Sequence, residues 1–321
     1  MSPAADAVPH GRLVLLDTAS LYFRAFYGVP ETVKAPDGTP VNAVRGLLDM
    51  IARIVTDRHP ARMVACWDDD WRPAFRVAAI PSYKEHRLAP GTDAEEVPDA
   101  LTPQIPVIVE VLRALGIARL GAAGFEADDV IGTLVAREVA RTDRAPGAAG
   151  AVEVVTGDRD LFQLVDDEAR VSVLYTMRGI KDLEVIDQGR LRERYGVTSG
   201  QAYADMAVLR GDPSDGLPGV KGIGEKTAVT LLSRYGDLAG ILAARDARDP
   251  GLTLAQRTRL TDAADYLAVA PTVVRVAPDA PVAVADDRIP PTPTDPTGLV
   301  ELAERWGLGS SVTRVVRAIS G

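Results

Sequence analysis

The amino-acid sequence predicts an α/β protein with a central, mostly parallel sheet, followed by an all-helical region. Three observations predict it. Short apolar runs recur over the first 190 residues and end on or just before acidic residues, helical periodicity fills the stretches between them, and from about residue 191 the strand pattern gives way to helices. The run 13–16 (LVLL) ends at Asp17, and the run 63–67 (MVACW) ends at Asp68; both read as buried parallel strands. Between them, Val44, Leu47, Leu48, Ile51, Ile54 and Val55 keep helical spacing, the crossover a βαβ unit needs. Residues 81–106 carry Pro, charge and small residues with little periodic apolar content, and read as a surface excursion or lid. Val130, Ile131, Leu134 and Val135 mark the next helix, directly after three acids. A third strand, 152–156, stops just before Gly157-Asp158-Arg159-Asp160, and a fourth spans 171–175. Residues 145–150 read as a flexible loop. The helical region from 191 has turns at 211–224 and 236, a Pro-rich connector at 277–296 and a final helical piece at 297–319. No internal repeat or heptad is present.

At 321 residues and 46% hydrophobic content, the chain can bury one large core or two smaller ones. Cys66 is the only cysteine, so no internal disulfide forms, and its apolar surroundings place it in a strand core; a reducing compartment fits. The first twelve residues lack the basic start and apolar run of a signal peptide, and no stretch approaches the roughly 20 apolar residues of a membrane span. A cytoplasmic, nucleoid-associated protein with no membrane partner is expected. The net charge of -9 argues superficially against a polyanionic partner. Bound cations facing a pocket of acids would offset that charge locally and leave a phosphate-facing surface positive. Lys is rare, at 34, 84, 181, 221 and 226.

The acids arrive in tight groups: Asp17, Asp68, Glu126/Asp128/Asp129, Asp158/Asp160 and Asp212/Asp215. Mg²⁺ is held by a few carboxylate oxygens plus waters, so two such ions require acids from separate segments to converge. Each group also has an ordinary reading. Asp158 and Asp160 suit a solvated turn, Asp212 and Asp215 flank Pro213-Ser214 in another, and the acids at 126–129 suit a helix N-terminus. One cap needs one acid, however, and three within four residues repel unless a cation intervenes. Immediately downstream, Gly219-Val-Lys-Gly-Ile-Gly-Glu-Lys226 is a glycine-rich turn opening a helix. Its successive N–H groups, with Lys221 and Lys226, make a site for phosphate oxygen. Arg24, Arg76, Lys84 and Arg87 are either a solvated basic face or the neutralising groups for a scissile phosphate, whereas Tyr22, Phe23 and Tyr83 read as packing residues. His10, His59 and His86 are too scattered for a zinc site or a Ser/His/Asp triad. Ala19 stands where a phosphoaspartyl hydrolase needs a second Asp, so the nucleophile is expected to be water.

Several long motifs then resemble, in order, the 5′ nuclease domain of bacterial DNA polymerase I and the wider flap endonuclease family. They are LLDTASLYFRAFY (15–27), Phe75-Arg76 with PSYKEHR (81–87), EADDVIG (126–132), TGDRDL (156–161) and GDPSDGLPGVKGIGEKTA (211–228). No polymerase follows, so a stand-alone member is expected. The resemblance implies a PIN-like 5′ nuclease fold: an α/β core over 12–190 with a helical arch at about 81–112. A helical DNA-binding region over 191–321 would contain a helix-three-turn-helix element at about 205–235. It further implies a 5′–3′ exonuclease and 5′ flap endonuclease using two or more Mg²⁺ or Mn²⁺ ions on DNA flaps, nicks and overhangs. Such an enzyme acts in Okazaki-fragment processing and repair, as a monomer beside replication and repair proteins.

Carried over by motif, Asp17, Asp68, Glu126, Asp128 and Asp129 would hold one ion, and Asp158, Asp160, Asp212 and Asp215 the other. Lys84, Arg76 and Arg24 would act on the scissile phosphate. Gly219, Lys221, Gly222, Ile223, Gly224, Lys226, Thr227 and Arg87 would grip DNA, with a K⁺ bridging the turn's carbonyls to a phosphate. Two departures stand out. Asp68, Asp69 and Asp70 crowd one place; Asp68 is preferred because it directly ends the strand, with Asp69 as the alternative. Gly216 stands where Asn is common. The competing expectations are a DNA-structure-binding module that loads metal poorly and a PIN-like ribonuclease.

Overall fold

The computed structural model describes residues 11–321; His10 and most of the first twelve residues, where no signal peptide was expected, lie outside the described residues. The sheet is built from β1 (Leu13–Asp17), β2 (Arg62–Cys66), β3 (Ala118–Leu120), β4 (Val152–Thr156), β5 (Val171–Tyr175) and β6 (Glu184–Ile186). The strands run in the order β3-β2-β1-β4-β5-β6, all pairs parallel except β5 with β6. The helices are α1 (Thr18–Gly28), α2 (Asn42–Arg58), α3 (Ala74–Ala79), α4 (Gln104–Leu115), α5 (Ala127–Val139), α6 (Gln188–Tyr195), α7 (Gly200–Arg210), α8 (Glu225–Tyr235), α9 (Leu238–Asp246), α10 (Leu254–Asp262), α11 (Ala264–Val274), α12 (Pro296–Arg305) and α13 (Gly309–Ser320).

The strands read as unbroken apolar runs because both faces are covered. Val14 and Leu16 of β1 join Met63, Ala65, Val155 and Leu174 in a core with α1, α2, α4, α12 and α13. Leu13 and Leu15 point the other way, joining Val64, Cys66, Val152, Val154 and Val173 against α5 and the helices α6, α7 and α11. Strand order reverses direction at β1, between β2 on one side and β4 on the other. A crevice therefore opens at the carboxyl ends of β1 and β4, where open α/β sheets bind ligands.

Three expectations need correction. The segment 81–112 is not a helical arch. Residues 81–103 form turns with one short 3₁₀ turn at Glu85–Arg87, closed by the Leu88–Glu95 bridge, since Pro90, Pro98 and Pro103 interrupt helix formation. Residues 104–112 instead begin α4, whose Val107, Ile108, Val111 and Leu112 are core. The strands β3 and β6 were not foreseen; each has three residues and sits at a sheet edge. Finally, 191–321 is not one helical unit: α12 and α13 return to the α/β core and pack on α4 and α2. The connector reaches them along β2, with Met63 N donating to Asp287 O (2.8 Å) and Ile289 N to Ala61 O (3.0 Å). Among the described residues no helix is long and apolar enough to cross a membrane.

Candidate active site

Asp17 closes β1 and caps α1: its carboxylate accepts from Ser20 N (3.3 Å) and from the Thr156 hydroxyl at the end of β4 (2.6 Å). Two residues beyond β2, Asp68 accepts from Ala127 N (2.8 Å), the first residue of α5. Asp69 turns away toward Arg119 (3.9 Å) and is 40% exposed, so of the two it is Asp68 that faces the crevice. After β4, Asp158 accepts from Asp160 N (2.9 Å), the turn geometry expected of an Asp-x-Asp segment, yet both side chains still reach the crevice. Asp212 likewise binds Ser214 N (2.8 Å), and Asp215 pairs with Arg87 (2.7 Å).

The three acids opening α5 divide, because neighbouring helical residues project about 100° apart. Asp128 faces the crevice. Asp129 is completely buried behind it, bidentate to Arg76 (2.7 Å each) and accepting from Ala277 N (2.8 Å). Glu126 lines the crevice but is tied to Lys84, Arg76 and the Tyr83 hydroxyl (2.7 Å). Arg76 is 2% exposed, so it does not reach a phosphate, and Asp129 does not reach a shared ion; both expectations are corrected by their mutual burial. Arg24 also stands outside the crevice. It lines an adjoining groove that shares Ser20, Phe23 and Gly157 with it.

Together the segments enclose a pit of about 380 Å³. Asp17, Asp68, Glu126, Asp128, Asp158, Asp160, Asp212 and Asp215 all line it, eight of the nine acids expected. Lys84 and Arg87 supply positive charge, as anticipated. Sequence reasoning missed Glu95 and Arg159. Arg159 was legible, lying between two site acids; Glu95 was not, since only the Leu88–Glu95 bridge folds it back over the pit. Burial and the neighbouring Asp68 and Asp158 push the Asp17 carboxyl up to about 7, against the pull of the Thr156 hydroxyl. Burial raises Asp128 well above the ordinary carboxylate range, aided by Asp17 and Asp158, and raises Asp160 similarly, aided by Asp158 and Asp215.

Among the described residues no three acids are arranged as a ready-made cage. The donors are nonetheless all oxygen, the choice of hard cations, and their mutual repulsion is what a divalent ion relieves. The residues fit such ions. Directly beneath, burial and the charges of Asp17, Asp128 and Asp68 hold the Cys66 thiol well above its ordinary range. Iodoacetamide at pH 8 is therefore expected to leave native Cys66 unlabelled and to label it fully in urea, read by mass spectrometry; native labelling would contradict this burial.

Beyond Asp212 and Asp215 the chain runs on into the glycine-rich turn, which lines a separate cavity with Arg259 and Tyr266. Gly219 (φ 64°) needs its left-handed backbone, and a Cβ there would lie 2.4 Å from Arg210 O. Gly224 precedes α8, whose first turn has no side-chain cap, with Lys221 and Lys226 exposed and Thr227 half-buried. Ile223 departs from its expected role: its side chain is core and its N–H donates to Val220 O (2.8 Å). Gly222 O accepts from Arg259 (3.0 Å). Gly216 (φ 72°) is explained by contact, since a Cβ would fall 2.0 Å from Ser82 O. Gly216→Asn is thus expected to destabilise the protein by about 1–3 kcal/mol, visible as a lower urea midpoint; an unchanged midpoint would contradict the contact.

Comparison with known proteins identifies the family. Residues 12–196 match the model of the 5′-3′ exonuclease N-terminal resolvase-like domain, and residues 198–297 match that of the 5′-3′ exonuclease C-terminal SAM fold. The chain belongs to the 5′-3′ exonuclease family. A protein of Streptomyces coelicolor named 5′-3′ exonuclease is 60% identical over 311 residues, covering 96% of this chain and all of that one. DNA polymerase I of Mycobacterium tuberculosis is 42% identical over 236 residues, 73% of this chain and 24% of the polymerase. In fold, the chain is similar to a bacteriophage T5 flap endonuclease solved as a pseudo-enzyme–product complex with DNA and metal ions. The TM-score is 0.62 and the identity 17%, over 97% of this chain and 100% of that one. The exonuclease family and the mostly parallel sheet with a helical C-terminal region, both expected from the motifs, are borne out; the chain is a nuclease.

Proposed function

We propose that this family member hydrolyses DNA at 5′ ends and 5′ flaps, with divalent ions, Mg²⁺ or Mn²⁺, held in the pit. One observation carries the reading: acids from five separate segments meet in one pit at the carboxyl ends of β1, β2 and β4. Bound there, such ions would activate a water and stabilise the leaving oxygen. Asp17, Asp128 and Asp158 act on one another within the pit: Asp17 and Asp158 both raise the proton affinity of Asp128, and Asp158 raises that of Asp17. Asp68, Asp160, Asp212 and Asp215 complete the wall, and Glu126 keeps Lys84 at its edge. Lys84 and Arg87 are the cations positioned to meet charge developing on a phosphate.

The amides opening α8, with Lys221 and Lys226, would bind the duplex backbone, so recognition follows DNA shape and a 5′ end rather than sequence. At that turn Arg259 already brings a cation to Gly222 O, and a K⁺ there would share or replace it. The reading extends to a monomer at the nucleoid, working beside replication and repair proteins.

The test is cleavage of a labelled 5′ flap with Mg²⁺ or Mn²⁺ against EDTA. Cleavage with either ion, loss in EDTA and restoration on adding the metal back are expected. Metal-independent cleavage would overturn the ionic reading, binding without cleavage would favour a structure-binding module, and preference for a matched RNA flap would favour a ribonuclease.

A further inference from the structure

Arg76 occupies a place that a phosphate-steering residue would not. All of its guanidinium nitrogens face protein acceptors: Nε donates to Val273 O (3.0 Å), the two Nη atoms to both oxygens of Asp129 (2.7 Å), one also to Glu126 and the other to Arg275 O (3.4 Å). Asp129 in turn accepts from Glu126 N (3.2 Å) and Ala277 N (2.8 Å). Four segments meet in this buried knot: α3, the start of α5, the Tyr83-Lys84 stretch through Glu126, and the end of α11. Only Glu126 and Lys84 of the knot line the pit.

The far end of α11 stands beneath the glycine-rich turn. Tyr266 lines a cavity with Gly219, Lys221, Gly222 and Arg259, and its hydroxyl donates to Val208 O of α7 (2.9 Å). From Tyr266 to Val273 is seven helical residues, a rod of about 10 Å. One helix thus touches the duplex-gripping turn at one end and the guanidinium behind the acids at the other.

We propose that Arg76 is a positioning residue that sets the register between α11 and the pit, holding Glu126, and through it Lys84, where the reaction needs them. A fixed planar fork suits this task better than a point charge, because it satisfies two carboxylates and a helix end at once. The inference rests on the proposed pit. Metal-dependent cleavage by the wild type, measured first, tests that pit by itself, and the variants then test Arg76.

The experiment compares wild type with Arg76→Lys, Arg76→Met and Asp129→Asn, and with the Arg76→Met/Asp129→Asn double variant. It measures single-turnover cleavage, KM, and the salt dependence of DNA affinity in EDTA. Arg76→Met is expected to lower kcat by about 30-fold or more with KM within about threefold, and Arg76→Lys to recover part of the loss. The double variant is expected to be no worse than the poorer single one, since both remove one linkage. The slope of log affinity against log salt should stay unchanged, because no phosphate contact is lost. A slope smaller by about one would mean a direct phosphate contact and overturn the proposal, as would additive losses in the double variant. Should Arg76→Met fail to fold, Arg76→Lys and Asp129→Asn carry the same comparisons, and wild-type kcat in both would also overturn it.

Discussion

Asp128→Asn is expected to lower flap cleavage by roughly 10³-fold while leaving DNA affinity in EDTA within a few-fold of wild type. The substitution keeps shape and removes one charge from the centre of the pit, where Asp17 and Asp158 are its nearest electrostatic neighbours. The same change should stabilise the metal-free protein, and the sign follows from the raised affinity for protons. Burial favours the neutral carboxyl, so the stability that the protonated group supports is lost as pH rises through its folded value. Asn is neutral throughout. The gain in Tm over wild type in EDTA should therefore be larger at pH 8 than at pH 5, and saturating Mg²⁺ should shrink or reverse it, since only the wild type binds the ion fully. Thermal unfolding at the two pH values, with and without metal, checks all of this. Wild-type cleavage by Asp128→Asn, or a Tm that falls equally at both pH values, would show that Asp128 is not part of a cation site. Asp158→Ala should lose cleavage similarly.

How much of this was legible in the sequence depends on the range of the interaction involved. The strands β1, β2, β4 and β5 were readable because burial on both faces imposes apolar runs, and the acids were readable because a chain must turn where those runs end. That Asp17, Asp68, Asp158 and Asp160 line one pit follows from parallel strands, which bring their carboxyl ends to one side, whereas Glu126 and Asp128 at the start of α5 and Asp212 and Asp215 after α7 arrive by tertiary packing. Orientation within a cluster was not legible. Glu126, Asp128 and Asp129 are equivalent as letters, and only helix geometry and the packing of Arg76 against α11 decide that Asp129 turns inward. The same long-range contact hid Arg76, 197 positions from the carbonyl it meets. Residues 81–103 were misread for the opposite reason: the resemblance suggested an arch, while the local Pro content and the Leu88–Glu95 bridge favour turns. The destination of α12 and α13 depends on tertiary packing, since their amphipathic faces would suit either half of the molecule.

Lys84→Met is expected to lower the single-turnover rate at saturating DNA by about 10²- to 10³-fold, the usual loss on removing one fixed positive or hydrogen-bonding group from a developing oxyanion. Three features single out this residue among the pit's cations. It is held in the left-handed region (φ 49°), a strained conformation for a side chain-bearing residue, and such strain persists only where surroundings enforce it. The enforcing contacts are its N–H donating to Asp215 O (3.0 Å) and its ammonium on Glu126. Burial alone would push the ammonium toward its neutral form, but Glu126, the Tyr83 phenol and Asp215 outweigh it and keep Lys84 well above its ordinary range. The charge is thus permanent, pre-oriented and partly withdrawn from water, the condition under which an electrostatic contact is worth most. Lys84→Arg should recover part of the rate, because charge is kept while the ammonium's position shifts. If Lys84 served only to neutralise Glu126, Lys84→Met combined with Glu126→Gln would restore cleavage; the expected result is that it does not, since neither variant returns a cation to the phosphate. Restored cleavage in that pair, measured by the same single-turnover assay, would reassign Lys84 from the reacting phosphate to the support of the acid wall.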